Sequence, residues 1–181
     1  MNVLGIATAV AVSLTSTFFS SVSDCIDILV SQEDTDDYTV SCSVVAPNIS
    51  LDEIVSPTDV IIDGENCAEI FVELLESNGL TPVYEGTTDE FFYLSAIEGI
   101  DTTDATVSDE AKIFLDENNV EYYDEVMTDG VISEFDFTDS SGWIFTINGE
   151  IPSVGMCDYI PECGDEITLS FTLYYGEDLQ Q

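Results

Sequence analysis

The chain contains no histidine and no arginine, and its one lysine, Lys112, stands against 38 Asp and Glu residues, a formal charge of −37 over 181 residues. Each of these shortages excludes chemistry. Nucleic-acid binders neutralise phosphates with Lys and Arg, typically at roughly six to ten contacts, and one lysine cannot supply them. Docking on an anionic membrane surface fails for the same electrostatic reason. Without imidazole there is no His general base, no Ser-His or Cys-His nucleophile pair and no His-based zinc or iron site. The five cysteines include no CxxC spacing, which argues against a zinc knuckle or a redox dithiol.

Extreme charge with few apolar residues is the signature of disorder, yet apolar residues make up 45% of this chain and aromatics 10%, enough to build a core. Residues 1–23, MNVLGIATAVAVSLTSTFFSSVS, carry no charged side chain, and from Asp24 onward acids recur every few positions. That break predicts a secretory signal cleaved after Ser23. Two alternatives stay open: a retained anchor, the run being just long enough for a bilayer core of ~30 Å, and a lipid on Cys25, with Asp24 departing from the usual cleavage box. Residues 24–181 suit a single domain. In an oxidising compartment the expected disulfides are Cys25–Cys42, facing across an acidic turn, and Cys157–Cys163, clipping a short loop; free thiols in a reducing niche are the other reading.

Hydrophobic periodicity supplies the elements. Tyr38–Val45 alternates and is rich in β-branched residues, and with 24–37 it predicts an N-terminal hairpin over 24–45. A loop is expected next, then a short strand at Val60–Ile62. Asn66 and Glu69 form a capping-box pattern before Cys67, Ile70, Phe71, Leu74 and Leu75, which predicts a helix over 67–78 closed by Gly79. Strands are expected at Thr81–Tyr84, Phe91–Ile97, Glu134–Thr138, Trp143–Asn148 and Glu166–Tyr175. Between 101 and 133 the pattern changes to a small helical insertion capped by Ser108. Strands, one strong helix, then more strands give an α+β layer with a helix on one face of a sheet.

Gly142-Trp143, Asn148-Gly149, Gly155, Asp158-Tyr159 and Gly164-Asp165 follow one another in an order and spacing that resemble the C-terminal β-domain of transcobalamin and intrinsic factor and its bacterial relatives of unknown function. The resemblance covers about 38–175 and is most specific in its C-terminal third. It implies a β-grasp-like fold on a secreted or surface-attached protein, and a cobalamin-like ligand. The large helical barrel that completes the transcobalamin site is not encoded here, so one domain offers half a site. For a flat ligand the stacking candidates are Trp143, Phe145 and Tyr159, although aromatic residues in strands are more often core.

Asp101, Asp104, Asp109, Glu110, Asp116, Glu117, Glu121, Asp124 and Glu125 form the densest acidic tract. They could offer oxygens to calcium, but no twelve-residue loop with the required Asp and Gly positions exists, and a solvated face is the expectation. The sequence therefore points to an exported, non-enzymatic domain that binds a small molecule or a surface protein. The alternative is a self-assembling structural subunit of an extracellular assembly or filament. The composition also makes a direct prediction. Trypsin acting on the denatured chain should give at most two fragments, split at Lys112, while chymotrypsin digests the same sample extensively; further tryptic cleavage would contradict the sequence.

Overall fold

The computed structural model describes residues 38–180, all within the second of the chain's two units, Glu33–Gln181. The architecture is α+β, with two sheets and two helices. Strand β1 (Tyr38–Ala46) is central in a four-stranded sheet, between the antiparallel β2 (Leu51–Ile62) and β7 (Glu166–Thr172), with which it is parallel. The fourth strand, β6 (Gly142–Ile147), pairs antiparallel with β7 and completes the order β2-β1-β7-β6. A parallel central pair made of the first and last described strands is the β-grasp arrangement that the sequence led us to expect. The second sheet is antiparallel, in the order β3 (Thr81–Glu85), β4 (Tyr93–Glu98), β5 (Val131–Ser133).

Helix α1 (Cys67–Ser77) forms where its pattern predicted it. The Asn66 side chain accepts the Glu69 amide at 3.0 Å while the Glu69 carboxylate accepts the Asn66 amide at 3.0 Å, so two N-terminal donors are satisfied reciprocally. At the other end Gly79 has φ +76 and the Leu80 amide donates to Leu75 at 3.0 Å, a Schellman-type closure. The buried face of α1, Cys67, Ala68, Ile70, Phe71, Leu74 and Leu75, joins a cluster that runs through both sheets. Burying Phe71, at 1% exposure, stabilises the fold by roughly 1.5–3 kcal/mol. Helix α2 (Asp109–Glu117) is capped by Ser108, whose hydroxyl accepts the Ala111 amide at 3.1 Å, and buries Ala111 and Leu115.

Three expectations need correction. Residues 51–59, read as a loop, belong to β2. Edge position hid this strand, because Asp52, Glu53 and Asp59 are exposed and Pro57 falls in the register shift between the pairs Cys42↔Thr58 and Val44↔Val55, where no ladder amide is required. Residues 134–138, read as a strand, form a turn-rich loop, with Phe135 and Phe137 both at positive φ. The β7 strand stops at Thr172 rather than Tyr175, and Ser170 and Thr172 are buried along with Ile167, Leu169 and Phe171. The stretch 101–133 carries α2 and then ends in β5, a full member of the second sheet.

Neither expected disulfide pairing forms. Cys42 and Cys157 are free thiols, as is Cys67, and Cys163 is disulfide-bonded, but not to Cys157. Cys42 points inward from the central strand β1 and is fully buried, with Cys67 of α1 as an electrostatic neighbour, and burial pushes both thiols up to about 12. Around Cys163 the loop is held by hydrogen bonds: the Glu162 amide donates to Asp165 Oδ2 at 2.8 Å and the Gly164 amide to Thr39 O at 2.8 Å. Cys25, the signal segment and the first half of the 24–45 hairpin lie outside the described residues.

The capping box gives this fold a clean test. Asn66→Ala should lower the unfolding free energy by about 1 kcal/mol in denaturant titration, and Asn66→Asp should retain most of it; an Ala variant as stable as the parent would remove the cap from the account of α1.

Candidate ligand-binding cleft

Where β6 begins, the loop 134–141 and the turn after β7 enclose a concavity of about 310 Å³ lined by Tyr93, Phe135, Asp139, Trp143, Ile144 and Tyr175, with Ser140, Ser141, Gly142 and Thr172 completing it. Two buried carboxylates build its walls. Asp136, 1% exposed, accepts the Met127 amide at 3.1 Å and the Ser133 amide at 2.7 Å, and the Ser141 hydroxyl donates to its backbone carbonyl. Asp178, 6% exposed, accepts the Leu173 amide at 2.7 Å, the Tyr174 amide at 3.1 Å, the Asn48 side-chain amide at 2.7 Å and the Thr172 hydroxyl. The two walls are joined: Thr138 Oγ1 donates to Leu173 O at 2.6 Å and Ser140 Oγ to the same carbonyl at 3.2 Å.

This frame holds aromatic side chains in backbone conformations they rarely adopt. Among the described residues, four of the seven non-glycine residues at positive φ are aromatic: Phe91, Phe135, Phe137 and Tyr175. Left-handed backbone at such residues costs on the order of 1–2 kcal/mol each, because Cβ meets the following carbonyl. Phe137 recovers the cost by burial, at 1% exposure and edge-on to Phe171 with centroids 6.2 Å apart. Phe135 and Tyr175 are 51% and 70% exposed and both line the cleft, at φ +65 and +51. Strain on exposed aromatics that the core does not use is a feature of binding sites. Gly176 makes the turn at Tyr175 possible, since it has φ +86 and a Cβ there would come within 3.0 Å of Ile144 Cδ1 and Ile151 Cδ1.

Trp143 is half-buried and bridges the two sheets. Its Nε1 donates to Ile132 O of β5 at 3.2 Å, and its ring packs edge-on to Phe171 at 5.2 Å. With the N–H committed, only the indole's open surface is available to a ligand. Tyr93, 52% exposed on β4, donates its hydroxyl to Glu134 Oε2. That hydrogen bond first, then partial burial and the charges of Glu134 and Glu85, push the phenol up to about 12. No positive charge offsets these acids. Lys112 is paired with Asp124 at 3.0 Å, and neither residue lines the cleft.

Of the three stacking candidates, the structure places only Trp143 in the cleft. Phe145 is buried, and its ring meets Tyr159 edge-on at 6.4 Å, so those two form a separate contact at the core. Burial, followed by the charges of Asp165, Cys67 and Glu162, raises the Tyr159 phenol. Sequence reading missed Tyr93, Phe135 and Tyr175. Glu134–Thr138 alternates as a strand would, so no local pattern marks Phe135, and the one local signal near Tyr175 is the end of alternation at Tyr174-Tyr175-Gly176. The acidic tract 101–125 lies exposed, and hydrogen bonds from the Thr103 hydroxyl and amide hold the Asp101 carboxyl below its ordinary range. Among the described residues no group of three or more His, Cys, Asp or Glu is placed to hold a metal ion, and no helix is long and apolar enough to cross a membrane.

Comparison with known proteins gives a match over residues 104–172 to a domain of unknown function, DUF4430, which takes in Phe135, Asp139–Ile144 and Thr172 of the cleft but not Tyr93 or Tyr175. A solved structure from Ruminococcus gnavus ATCC 29149, described as a "putative metal binding protein", is similar at 16% identity, covering 77% of this chain and 100% of the other with a TM-score of 0.37. No curated protein matches.

The Tyr93–Glu134 pair has a pH consequence of definite sign. The folded phenol titrates above the unfolded value of about 10, so its stabilising contribution is fully present below pH ~10 and is lost as pH rises through about 12. Tyrosinate absorbance should show a late-titrating phenol in the parent that is missing in Tyr93→Phe and moves to lower pH in Glu134→Gln. An unchanged titration in Glu134→Gln would show that the carboxylate does not hold the phenol.

Proposed function

We propose that the protein is an exported, non-enzymatic binding domain that takes a small molecule against the aromatic cleft beside Trp143. The observation that carries this reading is the pair Phe135 and Tyr175: two exposed aromatic residues held at positive φ that line one concavity. Export rests on the uncharged segment 1–23, and the absence of a catalytic role on the missing imidazole and guanidinium groups. The transcobalamin-type resemblance adds a cobalamin-like ligand as one class to try. At about 310 Å³ the cleft is at the bottom of the ~300–1,000 Å³ range of small-molecule sites, so a ligand of that size would need a second surface to cover it.

A structural subunit is the other reading, favoured by β2, a twelve-residue edge strand. Its Pro57 and its exposed Asp52, Glu53 and Asp59 guard that edge against strand addition, which makes the cleft the better-supported site.

Trp143 is the chain's one tryptophan, so its emission reports on the cleft without labelling. Titration with a panel of small aromatic, amine and corrinoid compounds should change that emission saturably for at least one of them. Phe135→Ala and Tyr175→Ala should each weaken the response by roughly tenfold, the scale of a lost aromatic contact of ~1.4 kcal/mol. Affinity unaltered in both variants would move the site elsewhere.

A further inference from the structure

We propose that the cleft selects a compact organic cation, an alkylated ammonium group, over neutral and anionic ligands of the same shape. This rests on the binding reading above and assigns the ligand its chemistry. Tyr93, Phe135, Trp143 and Tyr175 supply aromatic rings from four separate segments of the chain, and aromatic faces carry the negative end of the ring quadrupole. Quaternary ammonium recognition by grouped aromatic rings is an established use of that attraction.

Two carboxylates reinforce the sign. Asp139 is exposed among the lining residues, and Glu134 sits against the Tyr93 hydroxyl. Because the Tyr93 hydroxyl donates a hydrogen bond to Glu134 rather than accepting one, the phenol oxygen keeps its electron density and the ring stays electron-rich. The only basic side chain in the sequence is tied to Asp124, so no cationic side chain of the protein competes for these groups. An anion entering the cleft would meet acids at its walls and the field of a molecule carrying a formal −37, whereas a cation is concentrated by the same field.

Inorganic cations are a poorer match. A bare divalent ion such as calcium wants six to eight oxygens, roughly, and no group of three or more His, Cys, Asp or Glu among the described residues is placed to hold a metal. A hydrated ion would leave the rings in contact with water. An alkylammonium group differs in kind, since its methyl groups bury apolar surface against the rings while its charge is met by ring faces and by Asp139. The cleft's volume of about 310 Å³ also favours a headgroup over a long chain.

Three ligands of one shape test the proposal: choline, its uncharged carbon isostere 3,3-dimethylbutanol, and the anion 3,3-dimethylbutyrate, each titrated against the full chain by Trp143 emission and by ligand-observed NMR. Choline should bind roughly tenfold tighter than the neutral isostere, and the anion more weakly than either. Tyr175→Leu, which keeps apolar bulk but removes the ring, should erase most of the preference for choline, and Asp139→Asn should weaken choline severalfold more than it weakens the neutral isostere. Choline binding should fall as salt rises. If the neutral isostere binds as tightly as choline, cation selection is overturned while the cleft remains a binding site. If none of the three binds but another compound of the broader panel does, this inference fails and the binding reading stands; silence across the whole panel ends both.

Discussion

A chain with one basic side chain cannot settle a buried carboxylate against a cation, and the structure is organised around the alternative. Asp136 and Asp178 are almost wholly buried, and each is satisfied by neutral donors: backbone amides at 2.7–3.1 Å, with an Asn side chain and a Thr hydroxyl added at Asp178. Several hydrogen bonds converging on a carboxyl group offset the loss of its hydration without an ion pair. The geometric consequence is tight. Amides that converge on one carboxyl must come from a sharply turned backbone, and these two aspartates sit in turns that leave aromatic residues at positive φ, Phe135 and Phe137 beside Asp136 and Tyr175 before Asp178.

The cleft follows from these two turns. They are joined through one carbonyl, Leu173 O, which accepts hydroxyls from Thr138 and Ser140. The loop 134–141 and the end of β7 thus form one continuous wall, and Phe135 and Tyr175 are left outside because the inward direction is already filled by Phe137, Phe171 and Leu173. Trp143 has a second duty. By donating to Ile132 O while packing on Phe171 it ties the three-stranded sheet to the four-stranded one, so the floor of the cleft is also a joint of the fold.

Charge gives the molecule its character without deciding its fold. The acids of 101–125 are exposed and leave the core to apolar side chains, and a field of one sign governs what approaches the surface rather than how the strands are ordered. Among the described residues Asp136 and Asp178 are the only buried acidic side chains, and the thiols Cys42 and Cys67 behave in the interior as small core hydrophobes, raised to about 12 and out of reach of solvent.

What the residues determined by themselves were the locally encoded elements. Helix α1 was legible from its capping box and its three-four spacing, α2 from Ser108, and β1 and β6 from alternation. Trp143, named from the sequence as a stacking candidate, lines the concavity that the structure forms. Tertiary structure alone decided the rest. β2 is a strand because β1 needed an edge partner, which no local pattern of Asp, Glu and Pro announces. Phe145 shares its face of β6 with Trp143, and it went to a core contact because the chain after β6 returns Tyr159 against it, a pairing of distant segments that no local pattern announces. Phe135 and Tyr175 became cleft walls because Asp136 and Asp178, close to them in sequence, were buried and gathered amides and hydroxyls into tight turns, and alternation of side chains cannot register a reversal of φ.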